Sequence, residues 1–285
     1  MSIVTFWNSS KQQTGQTMSI AAIATYMAIE HNYKILVIST TDREDSFRRC
    51  FWEEKKIKKN LGIFGPNASL EIENGVEGLA RVIRSNKISP GVITNYTKVV
   101  FKERLEVLLG SEATLKEENA TTDNIDIKSV YPDIISMANQ YYDIILIDLD
   151  ENIEEEVKKT IIKQSDIVVV NIGQRLRDIE NFSKLKQEEP MYQSKKAILL
   201  IGRYDKFSKY NAKNISRYLG EKNKIQTIPY NTLFFEAAEE AGVPDLFLRF
   251  KKSLDPEDRN AFFIGEVKRA TENIIYRLQD LQMKI

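Results

Sequence analysis

Short apolar runs rich in β-branched residues alternate with helical patterns along this chain, and this alternation constrains its fold more than any other feature. The runs lie at 3–7, 35–39, 144–148, 167–172, 197–202 and, more weakly, 226–228. Runs that are apolar on both faces are typical of parallel strands buried between two layers of helices. The sequence therefore predicts an α/β fold with a doubly wound, mostly parallel sheet and helices on both faces.

Helical patterns fill the segments between these runs. They cover 17–31, 132–142, 153–163, 179–186, 211–219 and 232–241. The first is apolar nearly all round, which predicts a buried helix. A pattern with apolar residues every three or four positions predicts a C-terminal helix within 255–285. We expect one domain over 1–285, with the polar stretch 112–128 as a mobile loop.

The residue counts exclude several classes of mechanism. The chain of 285 residues has 41 Lys+Arg and 41 Asp+Glu, and it carries one cysteine, Cys50, and one histidine, His31. A disulfide within the chain is excluded, and the counts argue against a Cys/His zinc site or a Ser-His-Asp mechanism. The zero net charge argues against DNA as a partner. Without a long apolar run or a signal peptide, the chain is expected to be cytoplasmic.

The loop after the first predicted strand has the position of a phosphate-binding loop. Residues 8–17 read NSSKQQTGQT. In the frame GxxxxGK[ST], Gly15 and Thr17 are retained, whereas Ser10 replaces the first glycine and Gln16 replaces the lysine. Taken alone, this loop is also compatible with an ordinary strand-to-helix turn.

Several segments in the same order along the chain resemble the ParA/MinD family, whose phosphate-binding loop is usually KGGxGK[ST]. Lys11 matches the additional signature lysine of that family, and Gln12 and Gln13 replace two of its glycines. The segment YDIILID is similar to the Walker B strand YDxIIID of the family. The matching segments are 34–39, 75–79, 105–110, 142–148, 165–170, 228–231, 236–237 and 242–244. This order over nearly the whole chain carries the resemblance.

The resemblance implies a P-loop NTPase-like homodimer that binds ATP or ADP with Mg²⁺. The cofactor-binding residues that it implies are Lys11, Thr14, Gly15, Gln16, Thr17, Met18, Arg203 and Pro229. Of these, Arg203 and the backbone around Pro229 would contact adenine, and Thr17 would bind the metal together with Asp148. Lys11 would reach the nucleotide of a dimer partner. The candidate catalytic residues are Lys11, Asp42, Asp148 and Asp150, although Asp148 also fits a strand-end residue that caps a turn.

Three parts of the implied site depart from the family pattern together. Gln16 has no charge, two glutamines stand where glycines are usual, and the DxD of the family becomes Ser39-Thr40-Thr41, with Asp42 one position further on. The base-recognition asparagine becomes Gly202. Because a charge-assisted bond contributes about 1.5–3 kcal/mol, losing the lysine weakens binding by about 10–100-fold. We therefore expect weak or no nucleotide binding, and slow or no hydrolysis.

A narrower resemblance suggests a role. The segment GRYD at 202–205, followed by IPYN and GVP, is similar to the TadZ/CpaE branch, whose members localise Tad-type pilus machinery. The leading hypothesis is a dimeric scaffold or positioning factor with protein partners in a pilus, secretion or positioning system. The alternatives are an active partitioning ATPase that moves DNA or cargo by ATP-dependent dimerisation, and an adaptor that binds no nucleotide.

Two further features of the sequence each have a structural and a functional interpretation. The basic run 55–59 fits a solvated helix end or a patch for DNA or lipid. The C-terminal helix fits packing on the domain or a peripheral contact with the inner face of the membrane.

Overall fold

The strands form a single sheet. A computed structural model of the protein describes residues 1–9, 13–41, 46–53, 75–84, 89–110, 127–251, 255, 258 and 260–283. Its strands are β1 (Ser2–Asn8), β2 (Ile35–Ser39), β3 (Lys98–Phe101), β4 (Leu105–Leu108), β5 (Ile144–Leu149), β6 (Ile167–Ile172), β7 (Ala197–Tyr204) and β8 (Gln226–Pro229). Within these ranges the order is β3-β4-β2-β5-β1-β6-β7-β8. All neighbouring pairs are parallel except β3 with β4, which is antiparallel.

Helices cover both faces of this sheet. They are α1 (Gln16–Glu30), α2 (Ser46–Phe51), α3 (Val76–Arg84), α4 (Tyr131–Ala138), α5 (Glu155–Gln164), α6 (Leu176–Glu188), α7 (Ala212–Leu219), α8 (Thr232–Glu239), α9 (Val243–Phe250) and α10 (Ala261–Gln282). Helices α1, α2, α8, α9 and α10 contribute to the core on one face. Helices α3 to α7 contribute to the core on the other face. The predicted doubly wound α/β fold is confirmed.

Alternation along β5 decides which side chains face which layer. Ile144 and Leu146 belong to the core under α1, whereas Ile145 and Ile147 belong to the opposite core. Successive strand residues point to opposite faces. Asp148 has the parity of Ile144 and Leu146, so it lies on the α1 side at the carboxyl end of the strand.

The predicted strands and helices are present, with shifts at their ends, and some elements were not predicted. These unpredicted elements are α2, α9 and the antiparallel edge strand β3, which is four residues long and leaves Val99 half exposed. The last helix begins at Ala261 rather than at 255, because the Asp258 side chain accepts the Asn260 N–H in a turn at 2.7 Å. Of the predicted loop at 112–128, only residues 127 and 128 lie within the described ranges.

The tyrosine of the YDIILID segment has a structural role at the amino end of the sheet. The Tyr142 hydroxyl donates to the buried Glu106 carboxylate at 2.6 Å, and the Thr97 hydroxyl donates to the same carboxylate oxygen at 2.6 Å. Burial, reinforced by the bond to Glu106, raises the pKa of the Tyr142 phenol well above its usual range. The next residue, Asp143, accepts the Lys34 N–H at 2.8 Å. These contacts lie at the opposite end of β5 from Asp148.

Gly110 lies where the chain leaves β4 beside the residues that follow β2. A Cβ atom added to Gly110 would lie 2.0 Å from the Thr41 carbonyl oxygen and 3.4 Å from the Ser39 carbonyl oxygen. Because both contacts are with backbone, a side chain there requires one of the two segments to move. Glycine therefore sets the spacing of two chain segments at the carboxyl edge of the sheet.

We expect Gly110→Ala to lower the free energy of unfolding by about 1–3 kcal/mol, the usual cost of overpacking. Urea unfolding followed by circular dichroism measures this change. The matched control is Gly265→Ala in α10, where the nearest atom to an added Cβ is an Arg269 guanidinium nitrogen at 3.9 Å. That control should be neutral or stabilising, because alanine favours a helix. Equal stability of the two variants would contradict the proposed spacing role of Gly110.

Candidate nucleotide site

The loop that joins β1 to α1 lies at the carboxyl edge of the sheet, where open α/β sheets bind ligands. Gly15 immediately precedes the helix with a φ of 76°, a conformation that favours glycine. The first helical bond runs from Ser19 N to Gly15 O at 2.9 Å. The N–H groups of Gln16, Thr17 and Met18 therefore have no acceptor within the helix. Such a helix start attracts an anion such as phosphate.

The Gln16 side chain bonds the end of β5. Its amide nitrogen donates to Asp148 Oδ1 at 2.5 Å and to the Leu149 carbonyl oxygen at 3.1 Å. Both N–H donors of this amide are therefore used within the protein. The remaining polar atom, Oε1, is buried and has no hydrogen-bond partner among the described residues. The side chain at the usual lysine position thus holds the strand end and presents no free donor.

Thr17 completes the contacts to the Asp148 side chain. Its hydroxyl donates to Asp148 Oδ2 at 2.6 Å, and the Asp148 side chain is nearly fully buried, with 5% of the residue exposed. The parity of β5 places this carboxylate directly under the start of α1. The predicted metal residues, Thr17 and Asp148, are therefore brought together. We call Gln16, Thr17 and Asp148 the edge network.

The segment after β2 joins the same strand end through Thr40. The Thr40 N–H and hydroxyl both donate to the Asp148 carbonyl oxygen, at 3.1 and 3.0 Å, and the hydroxyl also accepts the Asp150 N–H at 2.8 Å. Ser39 is fully buried, and its hydroxyl has no partner among the described residues. The Asp150 carboxylate accepts the Asn152 N–H at 2.8 Å, which closes a local turn. Thr40, the middle residue of the segment that replaces DxD, thus ties this segment to the end of β5, while Ser39 offers a hydroxyl where the family pattern has its first carboxylate.

Gly202, at the end of β7, lies against the loop that precedes α1. A Cβ atom added to Gly202 would lie 2.2 Å from the Thr14 carbonyl oxygen and 3.2 Å from the Ser19 hydroxyl. An asparagine, which the family pattern has at this position, does not fit beside this loop conformation. Glycine at position 202 therefore leaves the space that the Thr14 backbone occupies.

The remaining predicted residues lie at different distances from this centre. Arg203 is exposed and its side chain packs on Gly15. Pro229 ends β8 and pairs with Tyr204 of β7. Two predicted residues, Lys11 and Asp42, lie outside the described residues, as does the basic run 55–59. The bonds of Gln16 and Thr40 were not predicted from the sequence. For Gln16, the alternation of residues along β5 was a possible signal, because it puts Asp148 on the same face of the strand as Ile144 and Leu146.

The described residues fit a phosphate group and Mg²⁺ in part. Backbone N–H groups suit phosphate oxygens, and the buried Thr14 hydroxyl, which has no partner among the described residues, is a further donor. Across the described ranges no three His, Cys, Asp or Glu side chains cluster to hold a metal ion. Mg²⁺ is commonly held by one or two protein groups together with phosphate oxygens, which Thr17 and Asp148 satisfy. A lysine at the helix start is absent.

Comparison with known proteins supports the fold. No family model matches the chain, and no curated protein matches it in sequence. A ParA family ATPase from Chlorobium tepidum TLS is similar in structure, with a TM-score of 0.65, 13% identity and coverage of 95% of this chain and 98% of the other. A Borrelia burgdorferi B31 plasmid partition protein bound to AMPPNP has a TM-score of 0.60 and 16% identity, with 99% and 98% covered.

A third similar structure is a septum site-determining protein MinD with Mg-ADP, from Pyrococcus horikoshii OT3. Its TM-score is 0.62 at 13% identity, with 97% of this chain and 98% of that chain covered. At such identities the likeness concerns the fold, so the chain has the fold of ParA and MinD proteins. None of the helices over the described ranges combines the length and apolar composition needed to span a membrane.

We expect Asp148→Ala to lower the free energy of unfolding by about 2–4 kcal/mol in buffer without nucleotide or metal. The substitution removes the acceptor of the Gln16 and Thr17 side chains, and hydrogen bonds to a charged group contribute about 1.5–3 kcal/mol each. Urea unfolding measures the loss. The control Asp150→Ala, which breaks only a local turn, should cost less than about 1 kcal/mol. An Asp148→Ala protein more stable than the wild type would show that the edge network does not hold α1 to β5.

Proposed function

We propose that this protein binds adenine nucleotides weakly and acts as a dimeric scaffold or positioning factor, with slow or no ATP hydrolysis. The observation that carries the proposal is the Gln16 side chain, whose two N–H donors are taken by Asp148 and Leu149. A P-loop lysine bridges phosphate oxygens with a positive charge. Here that charge is missing, and the neutral replacement must break two internal bonds before it can donate to a ligand.

The backbone of the loop supports retained binding. The N–H groups at the start of α1 and the conformation of Gly15 suit phosphate, and Thr17 with Asp148 suits Mg²⁺. Bound Mg²⁺ would neutralise negative charge on the phosphate oxygens. Two of the similar structures contain a nucleotide, AMPPNP in one and Mg-ADP in the other. Loss of the lysine charge then lowers affinity by about 10–100-fold rather than abolishing it.

The segment after β2 supports weak hydrolysis. Hydrolysis requires a group that orients the attacking water. Ser39 and Thr40 are buried hydroxyl residues in this segment, and Thr40 is engaged with the Asp148 carbonyl oxygen. Neither hydroxyl replaces a carboxylate. Asp150 is held in its own turn, so it serves water only if that turn opens.

The narrower role rests on the resemblance of segments 202–205, 228–231 and 242–244 to the TadZ/CpaE branch. On that basis we place the protein in the cytoplasm, as a homodimer with protein partners in a Tad-type pilus or secretion system. The balanced charge of 41 cationic and 41 acidic residues supports protein partners over DNA. Within the cytoplasm, a more specific form of this proposal is a peripheral contact of the protein with the inner face of the membrane.

An active partitioning ATPase is the second candidate function. It is favoured by one observation, the retained Thr17–Asp148 pair at 2.6 Å, which is the metal-binding part of an ATPase site. Among the similar proteins, one is named a ParA family ATPase and another a plasmid partition protein. Measured turnover separates the two candidates.

We expect no ATP turnover that depends on Asp148. Phosphate release from Mg-ATP should be the same for the wild type and for Asp148→Asn, which keeps an acceptor for Thr17. A fluorescent ATP analogue, titrated in parallel, should still bind the wild type weakly, because the backbone donors remain. Turnover that Asp148→Asn abolishes would favour the active ATPase, and a dimer that binds no nucleotide would favour the adaptor.

We expect Gln16→Lys to raise ATP affinity by about 10–100-fold without restoring turnover. The new ammonium supplies the missing charge, but Ser39, Thr40 and Thr41 still provide no carboxylate. Isothermal titration and phosphate release measure the two effects. Gln140→Lys adds the same charge at an exposed position beyond α4 and should change neither quantity. Brisk hydrolysis by Gln16→Lys would refute the role assigned to the segment after β2.

A further inference from the structure

The backbone at the end of β7 is irregular at one residue, Arg203. Its φ is 51°, a conformation that side-chain-bearing residues rarely adopt. The pairing of β7 with β8 also shifts register between Gly202 and Tyr204, so Arg203 is an extra residue in the strand. Such bulges redirect a side chain, and strained conformations of this kind gather at functional sites.

The redirected side chain lies on the glycine that precedes α1. A Cβ atom added to Gly15 would lie 3.0 Å from Arg203 Cγ and 3.7 Å from Arg203 Cδ. The aliphatic part of the arginine therefore rests on the Gly15 backbone, and its guanidinium begins one bond beyond Cδ. Arg203 is exposed and forms no ion pair with a described carboxylate. The aliphatic part of a positively charged side chain thus lies against the residue that immediately precedes α1.

A second observation at this loop points to a ligand. Thr14 is buried, with 4% of the residue exposed, and its hydroxyl has no hydrogen-bond partner among the described residues. Buried polar groups are normally satisfied. The Thr14 backbone packs on Gly202, which precedes Arg203, and Arg203 packs on Gly15, which follows Thr14. Thr14 and Arg203 therefore lie close together in the structure. A phosphate oxygen accepts from a hydroxyl, a backbone N–H and a guanidinium alike.

We propose that Arg203 binds the phosphate groups of a nucleoside di- or triphosphate and replaces, from the end of β7, the positive charge that Gln16 lacks at the start of α1. This inference rests on the nucleotide binding proposed above and names a binding residue for it. It differs from the adenine contact that the family resemblance implies for Arg203. The contact with Gly15 favours phosphate, because that glycine adjoins the N–H groups that meet the anion.

Arg203→Gly is the sharpest variant with which to test this role. Glycine adopts a φ of 51° without strain, so the variant should melt at the same temperature as the wild type or higher. We expect the affinities for ADP and for inorganic pyrophosphate, measured by isothermal titration with the full chain, to fall about 10–100-fold. The affinity for adenosine should change less than about threefold, and Arg203→Lys should recover part of the loss.

The matched control is Lys206→Ala, three residues further along. The Lys206 ammonium lies 5.1 Å from the Phe207 ring centroid and 4.8 Å from the Phe262 ring centroid. It therefore contacts aromatic rings, and its removal should leave every affinity within about threefold. A large effect of this control would mean that only the general charge of this surface attracts the nucleotide, which would overturn a specific role for Arg203.

Three further results would overturn the inference. Unchanged ADP affinity in Arg203→Gly would remove the role of Arg203 and leave the proposed nucleotide binding intact. Equal losses for adenosine and ADP would assign the arginine to the base. If the wild type binds neither ADP nor pyrophosphate, the nucleotide binding of the proposed function fails, and Arg203 binds no phosphate. Asp148-dependent turnover, seen in the separate phosphate-release assay, would instead contradict only the proposed weak hydrolysis.

Discussion

The contact of the Asp148 carboxylate with Gln16 and Thr17 is the interaction on which the rest of the site depends. It joins the end of a central strand to the start of a buried helix, and the carboxylate is almost inaccessible to water. A buried carboxylate requires hydrogen-bond donors, and among the described residues the Gln16 and Thr17 side chains donate to this one. The same two donors occupy the positions from which a P-loop lysine and hydroxyl would act. Internal stability and a weakened phosphate site therefore have one structural cause.

Glycines at two positions allow neighbouring chain segments to approach each other closely at the carboxyl edge of the sheet. Gly110 holds the segment after β2 against β4, and Gly202 holds the end of β7 against the loop before α1. Each contact is between backbone atoms and leaves no room for a Cβ. The Gly202 contact also provides a physical reason for the missing base-recognition asparagine, because the loop lies where that side chain would be. The departures from the family pattern are therefore structurally consistent with one another.

Charge at the site has a different source from that in the family pattern. The helix start carries no cation among Gln16, Thr17 and Met18, while β7 brings Arg203 onto Gly15 through a bulge. An arginine offers a planar fork of donors, whereas a lysine offers a compact ammonium. A phosphate site arranged in this way would use Arg203 at the end of β7 as well as the N–H groups at the start of α1. A protein of zero net charge can hold such a local cation without a basic surface.

The sequence by itself determined the α/β class and the order of the central strands along the chain, because buried parallel strands read as continuous apolar runs. The resemblance of its segments to a known family also located the loop and named Gln16, Thr17 and Asp148 as candidate site residues. Four-residue β3 escaped notice because a short, half-exposed edge strand leaves little pattern.

Only the tertiary structure decided that Gln16 bonds Asp148, that Gly202 meets Thr14, and that Arg203 rests on Gly15. These contacts join residues far apart in sequence, and they depend on backbone spacings and on one bulge, which residue patterns do not encode.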